Sequence, residues 1–283
     1  VSVGRASTVT VVVPTHDRRA VLERKLRALE SATLPLQVIV VADRCGSDTH
    51  AFLERFEPRY RLDVVTTSVG QAAAARNAGA AHASGDLLIF SDDDVVPRAG
   101  WLEAHRRLHE APGWVGLSTL VRPAHLDRGV TARGRAGWWH CSGAGMSIER
   151  RDFERSGGYA TDYGVYGGED SDLGWRLRRL GLRFRRIAGA VAEHWDEGFD
   201  TDGASKAAAL GRAQVAVVQR HGELSIAWPL GVHPLLLALK AGVLGLLPSG
   251  VLAWERSFTR GARAAWRAGG PDAAPPRPRR GIS

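Results

Sequence analysis

Over its first 120 residues or so the chain switches repeatedly between two hydrophobic periods, and this alternation limits its fold more than any other feature. "TVTVVVP" (8–14), "LQVIVVA" (36–42), "RLDVVTT" (61–67) and "GDLLIF" (85–90) are short, apolar and rich in β-branched residues, as strands are. Between them, residues 18–31, 48–57 and 70–83 carry helical spacing. Strands alternating with helices predict an α/β fold with a mostly parallel sheet and right-handed crossovers. Near-continuous apolar strands predict helices on both faces. Further along, the pattern predicts a helix over 98–111, a strand over 114–121, irregular chain over 122–143 and a strand over 144–149. "GGEDSDLGWRLRRLG" (167–181) reads as a helix with acids in its first turn and arginines in its last, the polarity a helix dipole favours. Short strands over 183–187 and 189–193 and a helix over 203–221 complete this part.

After residue 223 the composition changes. The stretch 224–254 is strongly apolar but broken by Pro229, Pro234, Lys240 and Pro248, so no run reaches the roughly 20 residues needed to span a bilayer. Over 254–267, Trp254, Phe258, Ala262 and Trp266 share one helical face, and Arg256, Arg260, Arg263 and Arg267 share the other. Such a helix fits a membrane surface; it equally fits a helix packed on its own domain with a solvated arginine face. The expected organisation is a catalytic domain over 1–222, with a nucleotide-binding half at 8–121 and an acceptor-binding half at 122–222. An apolar and basic segment over 223–268 and a disordered Pro/Arg tail over 269–283 follow.

Net charge is +8, yet seven arginines and only two acids lie beyond Trp254, so most of the excess sits in the tail. Interleaved aromatic and basic residues of a single-strand binding platform are missing from the main body, and nucleic acid is not an expected partner. Cys45 and Cys141 have no metal spacing and make no disulfide framework. With no apolar leader ahead of the first strand, a cytoplasmic location is expected, with a peripheral place on the inner face of the membrane as its extension.

Ligands of open α/β sheets bind at the carboxyl ends of the strands. Three acid-bearing loops fall on that edge: "PTHDR" (14–18), "ADRCGSD" (42–48) and "SDDD" (91–94). Along extended chain Asp92 and Asp94 point one way and Asp93 the other. Two carboxylates so close call for a cation, and hard oxygen ligands suit Mg2+ or Mn2+ carrying a diphosphate. A solvated turn whose acids cap the next helix would also account for them.

"VVVPTHDR", "VIVVADRCGSDT", "GQAAAARNAG", "GDLLIFSDDDVVP" and "YGGEDSDLGWRLRRLG" occur in the order and at the spacing of the family-2 glycosyltransferases, which this sequence resembles over residues 8 to 200. The stretch from "GGED" to "AEHW" further resembles galactosyltransferase C-terminal regions. The resemblance implies an A-type, Rossmann-like fold with a helical, apolar C-terminal appendage, and a nucleoside-diphosphate sugar, favoured as a UDP-sugar, as donor. Carried over residue by residue, it places Asp43 against the base N–H, with Pro14 and Thr15 lining that pocket. Arg76 falls beneath the diphosphate or orients the metal-site acids, a helix-surface arginine being its plain role, and Asp92 and Asp93 join the donor set. Asp94 is the direct metal ligand, with Asp92 near the ribose or metal-bound water and His194 as a further ligand. Asp170 is the general base that takes the acceptor proton, and Glu169 holds an acceptor hydroxyl or braces the loop; capping of the helix is the plain role for both, and for Asp172. Gly167 and Gly168 let backbone approach the acceptor sugar. Trp138 and Trp139 fit either stacking on a sugar or packing in the core. His16 and Asp17 depart from the aromatic and Asn common at their positions.

The function so implied is metal-assisted, inverting sugar transfer to a hydroxyl of a glycolipid, glycan or small molecule, in bacterial envelope or natural-product glycosylation. Spacing alone leaves retention open, and the oligomeric state too. Two other readings compete: a sugar-nucleotide nucleotidyltransferase, which usually has a Gly-rich loop that "PTHDRRAVL" lacks, and a catalytically dead nucleotide-sugar-binding protein.

Overall fold

A computed structural model describes residues 8–122, 136–163, 167–195, 203–248 and 252–269. The chain forms two compact units: Val1–Ala160 with Leu173–Glu197, and Thr161–Asp172 with Gly198–Ser283. These divisions follow packing, whereas the boundaries expected from the sequence followed composition.

In the first unit, β1 (Val9–Thr15), α1 (Arg19–Leu29), β2 (Leu36–Asp43), α2 (Ser47–Arg55), β3 (Arg61–Thr67), α3 (Ala72–Ala81) and β4 (Leu87–Phe90) follow the expected alternation. β1 pairs in parallel with β2 and β4, and β2 with β3. Every residue of β2 is buried and β1 is buried but for Pro14, because both strands carry apolar side chains on both faces. Val9, Val11 and Val13 enter one core with Leu22 and Leu26 of α1; Val12, Ile39 and Val41 enter a second with Ala73 and Ala80 of α3. Each such valine contributes about 1.5–3 kcal/mol by leaving water. Gly79 lets α3 lie close on the sheet, since a Cβ there would collide with Val12 and Val41.

The second half of the sheet is mixed. β5 (Val95–Pro97), α4 (Trp101–Leu108), β6 (Trp114–Val121), β7 (Met146–Glu149), α5 (Arg150–Arg155) and β8 (Arg183–His194) give the strand order β3-β2-β1-β4-β7-β6-β8-β5. β7 runs antiparallel to β4 and β6, and β5 antiparallel to β8. The two strands expected over 183–187 and 189–193 are one, β8, interrupted by an irregularity where it pairs with β6. β5 and α5 are too short to have shown a period of their own.

α6 (Glu169–Arg179) begins in the segment assigned to the second unit. That unit also contains α7 (Gly203–His221), α8 (Pro234–Gly245) and α9 (Ala253–Ala268). A Cβ on Gly211 would meet the Phe258 backbone, and one on Gly261 the Ala208 backbone, so α7 and α9 cross at glycines. Phe258 and Ala262 are buried there, and Trp266 Nε1 donates to Val232 O at 2.8 Å. Phe258, Ala262 and Trp266 of the apolar face of α9 thus pack within their own unit, while Trp254 is 39% exposed and Arg260, Arg263 and Arg267 stay exposed. An exposed aliphatic face belongs to α8, where Leu235 is 69% and Leu239 is 66% exposed. No helix among the described residues is long and apolar enough to cross a membrane.

Candidate functional site

The carboxyl ends of β1, β2 and β4 bring Thr15, Asp43 and the loop 91–94 to one edge. β5 then turns back beside β8, pairing Val95 with His194, and Trp195 N donates to Asp94 O at 2.9 Å. Antiparallel pairing thereby sets two residues a hundred positions apart next to each other: His194 Nε2 lies 3.6 Å from Asp94 Oδ1. That separation is too long for a hydrogen bond, and Asp94 Oδ1 is buried with no hydrogen-bond partner.

The three aspartates have separate environments. Asp92 accepts from Arg76 Nη2 at 2.7 Å, and the Arg76 side chain is almost wholly buried. Gly143 makes room for it; a Cβ there would collide with the Arg76 guanidinium. Asp93 is fully buried, accepting from Thr15 Oγ1 at 2.7 Å and from Arg18. Burial pushes its carboxyl up to about 6, with Arg18 and Thr15 opposing. Asp93, expected in the donor set, holds Thr15 and Arg18 in place beneath the loop. Asp94 Oδ2 accepts from Arg18 Nη1 at 3.0 Å. Burial acts to raise the Asp94 carboxyl, but His194 and Arg18 outweigh it and hold it below its ordinary value.

Beneath the loop lies Lys25, completely buried, donating to Ser91 Oγ and Val95 O at 2.6 Å each. Arg18 and Lys25 are the residues the sequence reading passed over. A signal existed for Lys25: α1 buries Val21, Leu22, Lys25, Leu26 and Leu29, so a lysine occupies its apolar stripe. Arg18 sits in the quoted "PTHDR", but nothing local shows which acids it meets.

Asp43 turns inward, with Oδ1 accepting from Thr67 Oγ1 at 3.0 Å and Oδ2 from Gly70 N at 2.8 Å. A carboxylate has lone pairs left beyond these two. His16 Nδ1 lies 2.8 Å from Asp43 O, and Asp17 accepts from Gly46 N and Thr49 Oγ1, tying the first loop to the start of α2. Trp138 is buried with its ring 5.1 Å from Trp175, a core position; Trp139 is 42% exposed.

The segment with the expected base belongs to the second unit. Gly167 and Gly168 both have positive φ, +84° and +92°, and a Cβ on Gly168 would press on the Tyr163 ring at 2.7 Å. Glu169 and Asp170 follow, half-buried, in the first turn of α6. Asp172 is more than a cap: it is buried, accepts from Tyr163 Oη at 3.0 Å and lies 2.9 Å from His221 Nε2.

No group of three potential ligand side chains clusters among the described residues. The fit for a divalent ion rests on two, the unsatisfied Asp94 Oδ1 and His194 Nε2. Two ligands on one such ion stand roughly 3–4 Å apart at ordinary bond lengths, and Mg2+ commonly takes one or two protein ligands with the rest from phosphate and water. Asp92, expected beside them, accepts from Arg76 and does not complete a group of three among the described residues.

A family model described as glycosyl transferase family 2 matches residues 10–157, more than half of the chain. The chain belongs to glycosyltransferase family 2. A second model, described as the N-terminal domain of galactosyltransferase, matches residues 124–195, spanning the region expected to resemble a galactosyltransferase. Validoxylamine A glucosyltransferase of Streptomyces hygroscopicus subsp. jinggangensis is 28% identical over 219 residues, 61% of this chain and 52% of the relative. The chain thus spans about half the length of that relative. The mannosyltransferase PcManGT from Pyrobaculum calidifontis, in complex with GDP-Man and Mn2+, superposes with a TM-score of 0.65 at 20% identity, covering 90% of this chain and 86% of that one. S. aureus TarS 1-349 in complex with UDP-GlcNAc gives 0.56 at 13% identity, covering 92% of each. These likenesses show the glycosyltransferase A-type fold.

Proposed function

We propose that this family-2 glycosyltransferase transfers a sugar from a nucleoside-diphosphate sugar to an acceptor hydroxyl with inversion, assisted by a divalent metal. The observation that carries the metal-assisted donor site is the unsatisfied Asp94 Oδ1 facing His194 Nε2 at the strand edge. The edge collects the other elements of a donor site as well: Thr15 and Asp43 at the ends of β1 and β2, and Arg76 beside Asp92. Mg2+ or Mn2+ held by Asp94 and His194 would neutralise the charge gathering on the departing diphosphate. Asp43, with Pro14 and Thr15, receives the base, and a carboxylate facing an imide N–H favours uracil. Structural neighbours bound to GDP-Man and to UDP-GlcNAc make the base a question for experiment.

Asp170 accepts the proton of the attacking hydroxyl. The new bond joins that oxygen to the anomeric carbon, and the bond to the diphosphate oxygen breaks, releasing the nucleoside diphosphate. A carboxylate base in that role contributes on the order of 10²–10⁴ in rate. Glu169 and the half-exposed Trp139 serve the acceptor, which is a glycolipid, glycan or small molecule. A cytoplasmic enzyme peripheral on the membrane fits the aliphatic face of α8 better than the covered face of α9.

Calorimetric titration of UDP, GDP and dTDP, each with Mn2+, Mg2+ or EDTA, tests the donor reading. Metal-dependent binding lost in Asp94→Ala, together with Asp170→Asn that binds nucleotide normally but transfers 10²–10⁴ times more slowly, is the expected result. Metal-independent binding, or none to any nucleotide, would leave a binding protein or another chemistry.

A further inference from the structure

The segment that carries Glu169 and Asp170 rests on one face of a single helix. Leu210, Ala213, Gln214, Val217, Arg220 and His221 of α7 follow one another at the three- and four-residue steps that put side chains on one face. A Cβ on Gly167 would meet Leu210 at 3.0 Å and one on Gly168 would meet Ala213 at 3.3 Å, so bare backbone lies against this face. Gln214 Nε2 donates to Ser171 Oγ at 3.0 Å. Arg220 stacks 4.1 Å from the Tyr163 ring and pairs with Asp162. A different side of α7 meets α9 at Gly211 and Gly261, so the face belongs to a braced helix rather than to a loop.

Asp172 closes this arrangement. Its backbone N donates to Gly168 O at 2.8 Å, completing the first turn of α6. Its Oδ1 accepts from Tyr163 Oη at 3.0 Å and lies 2.9 Å from Nε2 of His221, in the last turn of α7. An ionised carboxylate only accepts, so that short contact places an N–H on Nε2. Burial, and then the charge on Asp172, push the Tyr163 hydroxyl up, which keeps it a donor. Capping the helix requires neither partner, and a solvated acid would cap as well at no cost of burial. What the buried one adds is a fixed orientation for its turn. At about 100° per residue, Asp170 stands roughly 150° round the axis from the mean of Ser171 and Asp172. With those two pinned to α7, the half-buried Asp170 is held on the side of the turn away from it.

We propose that Asp172, clasped by Tyr163 and His221, is a positioning residue that holds the Asp170 carboxylate in its working orientation. The inference rests on the reading of Asp170 as the base and adds what keeps it in place. A general base works only within hydrogen-bond reach of the proton it takes, and a misplacement of about 1 Å costs on the order of 10²-fold in rate.

The test follows release of nucleoside diphosphate by the full chain in Mn2+ with water as acceptor, from whichever of UDP-glucose, UDP-GlcNAc and GDP-mannose turns over fastest. Rates are normalised to nucleotide-binding sites counted by calorimetry, which removes any misfolded fraction. Tyr163→Phe and His221→Leu, each removing one partner of Asp172, are expected to slow release about 10–100-fold at unchanged KM for the donor. His221→Gln, which retains an N–H, should recover most of the rate. In an Asp170→Asn background the same changes should slow release no further, because they act through the missing base. Amide hydrogen exchange over residues 167–173 reads the same turn without turnover, and should quicken in Tyr163→Phe and His221→Leu. Equal slowing in both backgrounds, unchanged exchange, or no slowing where Asp170→Asn alone slows release, would overturn the inference. An Asp170→Asn chain that keeps the parent's rate would instead overturn the base reading beneath it.

Discussion

Lys25→Met tests whether burial or charge governs the cation under the acidic loop. The ammonium is wholly enclosed, and burial pulls it from an ordinary 10.5 to about 7, with Asp92, Asp93 and Asp94 acting the other way. Below pH 7 both the folded and unfolded chains hold the proton, and the full cost of burying it is present. Between pH 7 and 10.5 the unfolded chain keeps a proton that the folded chain has released. Stability therefore rises with pH across that window, by about 1.4 kcal/mol per pH unit. Between pH 7.5 and 9.5 the gain works out at about 2.5 kcal/mol. Methionine has no such titration, and every other group is common to both chains. Urea unfolding of parent and Lys25→Met at several pH values in that window isolates the effect. The expected result is a parent that gains about 2.5 kcal/mol relative to the variant over those two pH units. A difference that stays flat would mean the aspartates keep Lys25 charged in the fold, and the argument from burial would fail. A constant offset of about 1–3 kcal/mol against the variant is also expected, because Val95 O loses its buried donor.

Two other perturbations follow from the same geometry. His105 and His109 share Ser147 Oγ, at 2.8 and 2.9 Å, and burial lowers them to about 3 and about 4. Both are neutral when folded, so their stabilisation is complete above pH 6.5 and is lost as pH falls, by about 2 kcal/mol each at pH 5. Unfolding titrations from pH 7 to 5 should show a shallower loss in His105→Gln. Gly143→Ala should cost about 1–3 kcal/mol of stability but still fold, since the added Cβ meets a buried guanidinium rather than backbone. It should nonetheless weaken metal-dependent nucleotide binding about tenfold by displacing Arg76 from Asp92. Unchanged affinity by calorimetry would show that Arg76 has no part in the donor site.

The sequence by itself determined the alternation of strands and helices, the edge on which the acidic loops gather, and the family. Each follows from local period or from motif order: a run such as "LQVIVVA" must be buried on both faces wherever it lies, and a strand rich in valine ends where the charges begin. Tertiary structure decided which charges meet. Asp94 finds His194 only because β5 folds back along β8, and a three-residue strand carries too little pattern to announce that pairing. Arg18 reaches Asp94 from 76 residues away and Lys25 reaches Ser91 from 66, through contacts that no spacing rule expresses. Trp138 became core and Trp139 surface because neighbouring side chains on a tight turn point in different directions. The amphipathic pattern of α9 said that one face must be covered, while only the crossing at Gly211 and Gly261 decided that α7 would cover it. Hydrophobic period tells a residue whether to leave water; the partner it meets on leaving is set by the path of the whole chain.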